Sequence, residues 1–267
     1  MESGKPDFPF CIAWANQTWQ GTWHGLSHNE ILIEQTYPGK EDYTDHFYSL
    51  LDAFRDRRYI EVNGKKLVFI FRPHEIPDSK YFIDIWQELA LKEGLGGIHF
   101  VGMHMPSEWD AVAEGYNAMT AGFLERDKYE VVKKNGVWRD KLKLLTGNKN
   151  ERIPQLVSYE KYVSGYPAKD LTSNQYPWIM PDWDNTPRTG VNGWLFQGSS
   201  PELFGELCGK ALKETENKAP EEKIIILRSW NEWAEGNYLE PDQKFGRAYL
   251  EQFKKSLNNY TNQVSVA

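Results

Sequence analysis

The chain has 267 residues, 40% of them hydrophobic and 26% charged, with a net charge of −7, which excludes disordered and fibrous classes. Its acidic excess is spread along the chain and no basic stripe stands ready to neutralise phosphates, so nucleic acid is not an expected partner. No apolar run reaches the roughly 18 residues of a transmembrane helix, and the opening residues Met1 to Asp7 lack the charged-then-apolar pattern of a signal peptide, so the expected location is cytoplasmic.

In chain order, Pro9 to Ala15 reads as a buried strand and Asp42 to Arg57 as a helix with Phe47, Leu50, Leu51 and Phe54 on one face. Lys66 to Phe71 is a second strand. Tyr81 to Leu91 is a helix with Phe82, Ile85, Trp86 and Leu89 at helical spacing. Gly97 to Met103 is a third strand and Ala118 to Phe123 a weaker fourth. The charged stretch from Leu124 to Asn150 has no period and reads as a long loop over the rim. Tyr176 to Asp182 is a fifth strand with its prolines near the ends. A helix over Leu203 to Leu212 precedes the clearest strand, Lys223 to Trp230. The final helix, Arg247 to Leu257, buries Leu250, Phe253 and Leu257.

Near-continuous apolar strands separated by amphipathic helices define a parallel sheet covered by helices. Doubly wound and barrel folds both fit that pattern. The choice rests on the residues just past each strand: Trp14-Ala-Asn16, Arg72-Pro-His74, His104, Asp182-Trp-Asp-Asn185 and Trp230-Asn-Glu232. Equipping most strand ends is how a (β/α)8 barrel builds a site, whereas a dinucleotide-binding sheet needs a Gly-rich loop at one switch point, and none is present. The expected fold is therefore an α/β barrel of the (β/α)8 type, a single domain over 1–267. Six strands are two short of closure, so either two strands precede these residues in a longer parent or another element closes the gap. Cys11 and Cys208 lie in apolar stretches and are expected to be buried and reduced.

The segment Ser229 to Asp242 carries the strongest chemical signal. A strand delivers Glu232 and Glu235 onto a Gly-containing loop beside Trp230, Asn231 and Trp233. Glycoside cleavage needs one carboxyl group to protonate the leaving oxygen and a second as base or nucleophile, and an indole wall is the kind of surrounding that drives two carboxyl pKa values apart. The competing reading is a pair of solvated glutamates in capping or salt-bridge roles. Aromatic residues make up 14% of the chain, and rings set among polar groups suit the C–H faces of sugars. Trp14, Trp19 and Trp23, with Asn16 and His24, read as such a platform or else as rim packing. Trp183, Asp184, Asn185 and Arg188 form either a binding loop or a plain Asx-rich turn. Arg72, His74 and His104 end intermediate strands as polar contacts or as satisfied structural residues. No His or Asp spacing indicates a metal, and no cofactor motif is present.

The motifs Trp14-Ala-Asn16, Ile33-Glu-Gln-Thr-Tyr37, Asp184-Asn-Thr-Pro-Arg188 and Trp230-Asn-Glu-Trp-Ala-Glu-Gly236, with Leu239-Glu-Pro-Asp242, resemble the WbsX family. This is the glycoside hydrolase family 99-like domain of bacterial polysaccharide and lipopolysaccharide clusters. The resemblance covers essentially the whole chain. It implies a (β/α)8 barrel, an oligosaccharide or polysaccharide substrate and, from the family 99 enzymes, retaining endo-acting cleavage of α-mannosidic bonds. On that resemblance Glu232 is the base that deprotonates the sugar 2-hydroxyl, and Glu235 the acid that protonates the leaving group. The resemblance also implies that the first barrel strands are missing from this chain, and that Gln17, Gln20 and Thr22 adapt the first loop to a different or less charged sugar. Two further functions remain open: a glycosyltransferase of lipopolysaccharide or O-antigen synthesis, and a non-catalytic glycan-binding remnant.

Overall fold

The computed structural model describes residues 4–20, 30–106, 108–120, 154–167 and 171–264. Its strands are β1 Ile12–Trp14, β2 Trp19–Gln20, β3 Ile31–Ile33, β4 Glu61–Val62, β5 Lys65–Ile70, β6 Ile98–Gly102, β7 Ala118–Thr120, β8 Gln155–Ser158, β9 Gln175–Tyr176, β10 Trp178–Ile179, β11 Trp194–Gln197, β12 Ile226–Leu227, β13 Asn231–Glu232 and β14 Asn237–Tyr238. Its helices are α1 Lys40–Ser49, α2 Leu51–Phe54, α3 Ser79–Lys92, α4 Tyr159–Ser164, α5 Thr186–Thr189, α6 Pro201–Lys213 and α7 Ala248–Val264.

The parallel strands pair in the order β1-β5-β6-β7-β9. Only Pro177 separates β9 from β10, which pairs in parallel with β12. The six expected strands thus succeed one another across space in the order of the chain. A doubly wound sheet reverses its strand order at a switch point; among the described residues there is no reversal. The registers align the carboxyl ends, with Trp14 opposite Ile70, Ile70 opposite Gly102 and Gly102 opposite Met119. The residues that leave these strands therefore emerge along one edge.

The pleat sorts the core. Leu67 and Phe69 of β5 enter one apolar cluster, while Val68 and Ile70 enter the other, as the two-residue period of a strand requires. Helix α3 covers the second cluster because Phe82, Ile83, Ile85, Trp86 and Ala90 share its buried face, and Asp78 caps it by accepting from the Tyr81 N–H at 2.9 Å. Gln87 then ties α3 to β6, donating to the Ile98 carbonyl at 2.7 Å and accepting from its N–H at 3.0 Å. Helix α6 is started by Ser200 and Pro201 and buries Phe204, Leu207, Cys208 and Ala211 against the first cluster.

Leu257 of the final helix, expected to be buried, is 37% exposed, and three further expectations need correction. The segment Lys223 to Trp230, expected to be the clearest strand, contributes only Ile226–Leu227, and Ile224 to Leu227 stay partly exposed. Its apolar side chains are there, yet among the described residues β12 has a parallel neighbour on one side only, β10. Second, Asp42 to Arg57 is broken at Leu50 into α1 and α2. Third, β8 and β11 have no counterpart among the expected strands. They are four-residue strands that pair in parallel with each other, Trp194 opposite Gln155. Cys11 and Cys208 are both free, and burial pushes their thiols up to about 11 and about 12. The Leu124 to Asn150 loop and residues 121–123 of the fourth strand lie outside the described residues.

Candidate active site

The chain leaves β12 through Arg228 and Ser229 into an antiparallel hairpin in which Glu232 faces Asn237 and Asn231 faces Tyr238. A 3-10 turn, Trp233–Glu235, joins the two strands and ends at Gly236 with φ 56. Glycine is needed there twice over. The left-handed backbone penalises a side chain, and a Cβ would stand 3.0 Å from the Asp184 N. That N–H donates to the Glu235 carbonyl at 2.7 Å, locking the hairpin onto the loop after β10. Ser229 braces the base of the hairpin: its hydroxyl donates to the Asn237 carbonyl at 2.7 Å and accepts from the Glu232 N–H at 3.1 Å.

The hairpin brings the two glutamates to one guanidinium. Arg188, on α5, donates to Glu232 Oε1 at 3.1 Å and to Glu235 Oε1 at 3.2 Å. Arg228 donates to Glu235 Oε2 at 3.1 Å. The Glu235 side chain is only 7% exposed and both its oxygens are engaged, while Glu232 is 38% exposed and its Oε2 has no hydrogen bond among the described residues. The pair is therefore asymmetric: one carboxylate is held inside, and the other presents an open oxygen to the surface.

Arg228 lies 4.6 Å above the Trp183 ring, and Trp183 stacks on Trp194 with centroids 5.2 Å apart and planes 14° apart. Trp183 is 4% exposed, so its ring supports the guanidinium and offers no open sugar platform. Burial lowers the Arg228 pKa, with Glu235 and Glu232 pulling the other way.

The remaining expected residues divide clearly. Asn16 is fully buried. Its amide donates to the Arg72 carbonyl at 2.9 Å and to the Tyr37 hydroxyl at 3.0 Å, and accepts from the Arg72 N–H at 2.8 Å. It ties the end of β1 to the end of β5. Trp14 packs on His46, Phe82 and Tyr37, within the helix-covered cluster. Asp184 closes a local turn by accepting from the Thr186 N–H and hydroxyl, and Asn185 accepts from the Trp194 N–H. Arg72 pairs with Glu75 at 2.8 Å. His74 is exposed and lines a cavity of about 450 Å³ with Trp109 and Met105. Trp19, Trp230 and Trp233 are 47%, 50% and 48% exposed, and Asn231 is also exposed. Trp23 and His24 lie outside the described residues.

His104 lies just past β6 with φ 55, a left-handed backbone that His adopts more readily than most residues. It packs on Phe71 and Trp178. Burial, followed by the charges of Arg228, Arg72 and His74, pushes its imidazole down to about 4. Asp182, at the end of β10, is pushed up to about 6 by burial. Sequence reasoning misses Arg228, Ser229 and Tyr238. The available signal for Arg228 is a lone cation at the end of an apolar strand, immediately ahead of the acidic motif.

No group of three or more His, Cys, Asp or Glu able to hold a metal occurs among the described residues, and none of the described helices is long and apolar enough to cross a membrane.

Together these features define an α/β protein with a parallel sheet and a candidate site, a carboxylate pair bridged by Arg188, past the carboxyl edge of its strands. The chain belongs to the Glycosyltransferase WbsX family, whose model matches residues 1–253. It is 27% identical over 263 residues to the uncharacterized protein WxcX of Xanthomonas campestris pv. campestris, in both strain B100 and strain ATCC 33913. That match covers 93% of this chain and 34% of WxcX, so the chain spans about a third of the length of these curated relatives. Among solved structures, a glycoside hydrolase-like protein matches with TM-score 0.54 and 17% identity, over 80% of this chain and 60% of its own. The GH99 endo-alpha-mannosidase of Bacteroides thetaiotaomicron, in complex with BIS-TRIS-propane, matches with TM-score 0.51 and 14% identity, over 86% of this chain and 69% of its own. At such identities the likeness concerns the fold.

Proposed function

We propose that this chain carries the carboxylate centre of a carbohydrate-active enzyme, a retaining endo-glycosidase acting on an α-linked, mannose-like glycan. The observation that carries the reading is Arg188 bridging Glu232 and Glu235 at the carboxyl edge of parallel strands, beside the exposed indole of Trp233. The family and the GH99 endo-alpha-mannosidase neighbour support the choice of substrate class.

In this reading Glu232, with its open Oε2, accepts the proton of a sugar hydroxyl. That hydroxyl is then freed to attack the anomeric carbon. Glu235, once it has taken up a proton from solvent, supplies that proton to the departing oxygen. In the described geometry both Glu235 oxygens accept from guanidinium groups, so this step requires Arg188 to move off Oε1 as substrate enters. Arg228, held on Trp183, stays in place and keeps the carboxyl group aimed. Catalytic proton transfer of this kind contributes on the order of 100-fold to 10,000-fold in rate.

We also propose that the sheet is an arc of a (β/α)8 barrel, and that the described domain forms one unit. Both end strands, β1 and β12, are short and incompletely covered, as the open edges of such an arc would be.

A second reading, glycosyl transfer from a nucleotide sugar, is favoured by one observation: the two guanidinium groups of Arg188 and Arg228 converge on the site, and cations of that kind suit a diphosphate leaving group. One incubation separates the two. Glycosidase action releases new reducing ends from a panel of α-linked oligosaccharides with no nucleotide present. Consumption of a nucleotide sugar, with no hydrolysis of any glycan, would replace the first reading with the second.

A further inference from the structure

On the hairpin that carries the carboxylate pair lies an open cleft of about 590 Å³, lined by Trp233, Tyr238, Pro241, Asp242, Gln243 and Lys244. That volume falls within the roughly 300–1,000 Å³ typical of small-molecule sites. One wall is aromatic and fixed. Trp233 stacks on Tyr238 with centroids 3.7 Å apart and planes 16° apart. Its indole N–H donates to Glu240 Oε2 at 2.7 Å, and the Tyr238 hydroxyl donates to Asp242 Oδ2 at 3.1 Å. Trp233 nevertheless remains 48% exposed. A large ring tethered on one side and bare on the other has already lost the freedom that binding would otherwise remove, so a ligand stacking there loses less entropy.

A stacked pair across a hairpin also stabilises the hairpin itself. Stability alone does not account for the rest of the cleft. Gln243 and Lys244 line it and are exposed, and the Lys244 ammonium, 4.4 Å from the centre of the Phe245 ring, makes no ion pair among the described residues. Both are donors of the kind that sugar hydroxyls accept from. The nearby carboxylates of Glu240 and Asp242 are occupied holding the aromatic wall, and their charge disfavours an anionic guest.

We propose that this cleft is a separate binding subsite for a neutral pyranose ring, which stacks on Trp233 and hydrogen-bonds to Gln243 and Lys244, next to the sugar that reaches Glu232. The proposal rests on the carbohydrate-active reading above and adds the place and charge class of a neighbouring sugar.

The test is titration calorimetry with neutral oligosaccharides of mannose, glucose, galactose or N-acetylglucosamine, from disaccharides through hexasaccharides, on the Glu232→Gln chain so that nothing is consumed. Trp233→Ala on that background is expected to weaken binding of the longer members at least ~10-fold, with little change for the shortest, and Trp233→Phe is expected to restore most of the affinity. Circular dichroism of each variant checks the fold. Equal affinities for Trp233→Ala and its parent overturn the subsite and leave the carbohydrate reading standing. Tighter binding of uronic-acid oligosaccharides, lost on Lys244→Ala, overturns the neutral class. Failure of every oligosaccharide to bind overturns both the subsite and the reading beneath it.

Discussion

Arg228 stands between Trp183 and Glu235, its guanidinium 4.6 Å above the indole and 3.1 Å from the carboxylate. The contact converts a buried tryptophan pair into a mount for a charged group: Trp194 fixes Trp183, Trp183 fixes Arg228, and Arg228 fixes Glu235. Arginine suits this position because its plane stacks while its edge donates; a lysine ammonium can do only part of both. Arg228→Met should therefore cost on the order of 2 kcal/mol. That is below the ~3–5 kcal/mol of a fully buried pair, because 21% of the Arg228 side chain is exposed. Combining Arg228→Met with Glu235→Gln in a denaturation cycle should show non-additive losses. Simple additivity would mean that the two side chains do not support each other.

Gly236→Ala should disturb the site without touching a charged group. The left-handed conformation costs a non-glycine residue about 1–2 kcal/mol, and the added methyl meets Asp184 at 3.0 Å. The expected result is a lower melting temperature together with a loss of turnover larger than the stability change explains, since the turn carries Glu235. Unchanged melting and turnover would show that the hairpin relaxes freely.

Asn16 gives a prediction of the opposite kind. Asn16→Ala removes one acceptor and two donated bonds from a fully buried position and should destabilise by ~1–3 kcal/mol. Oligosaccharide affinity of the folded fraction should be unchanged, because the side chain is spent between β1 and β5. A selective loss of affinity with normal stability would return Asn16 to the role of a sugar contact.

Two buried groups give opposing pH dependence. The His104 pKa falls from its ordinary 6.5 to about 4. Between those values the unfolded chain binds the extra proton, so this group's contribution to stability grows as pH rises from about 4 to about 6.5 and is lost on acidification. The Asp182 pKa rises from 3.8 to about 6. There the folded chain holds the extra proton, and its contribution falls as pH rises through the same region. Each full unit of difference corresponds to about 1.4 kcal/mol at most. His104→Gln should flatten the acid limb of stability against pH, and Asp182→Asn should remove the decline towards pH 6. Titration of His104 near 6.5 by NMR would contradict the first statement.

The legibility of this sequence tracks the strength of its periods. The six parallel strands and the helices around Phe82, Phe204 and Phe253 are readable because unbroken apolar runs and helical spacing leave few alternatives. β8 and β11 escape because four residues such as Gln155–Ser158 carry no detectable alternation. The extent of β12 is overestimated because an apolar run reports side-chain character and not the number of neighbours that cover it. Within the site, Glu232, Glu235 and Arg188 lie inside recognisable motifs and converge in space. Trp14, Trp183 and Asn16 lie in the same motifs but face inward, and only three-dimensional packing separates a ring that stacks on a ligand from one that props up an arginine. Arg228 is hidden because a single arginine has no periodicity.

The most direct measurement is the turnover of Glu232→Gln and Glu235→Gln beside the parent, on whichever glycan the parent hydrolyses, with the fold of each variant verified. Each substitution keeps the shape of the side chain and removes its capacity to exchange a proton, so each should lower turnover by at least ~100-fold. Hydrolysis by both variants at the parent's rate would contradict the account, because the asymmetric carboxylate pair held by Arg188 would then be a structural ion pair and the chemistry would lie elsewhere.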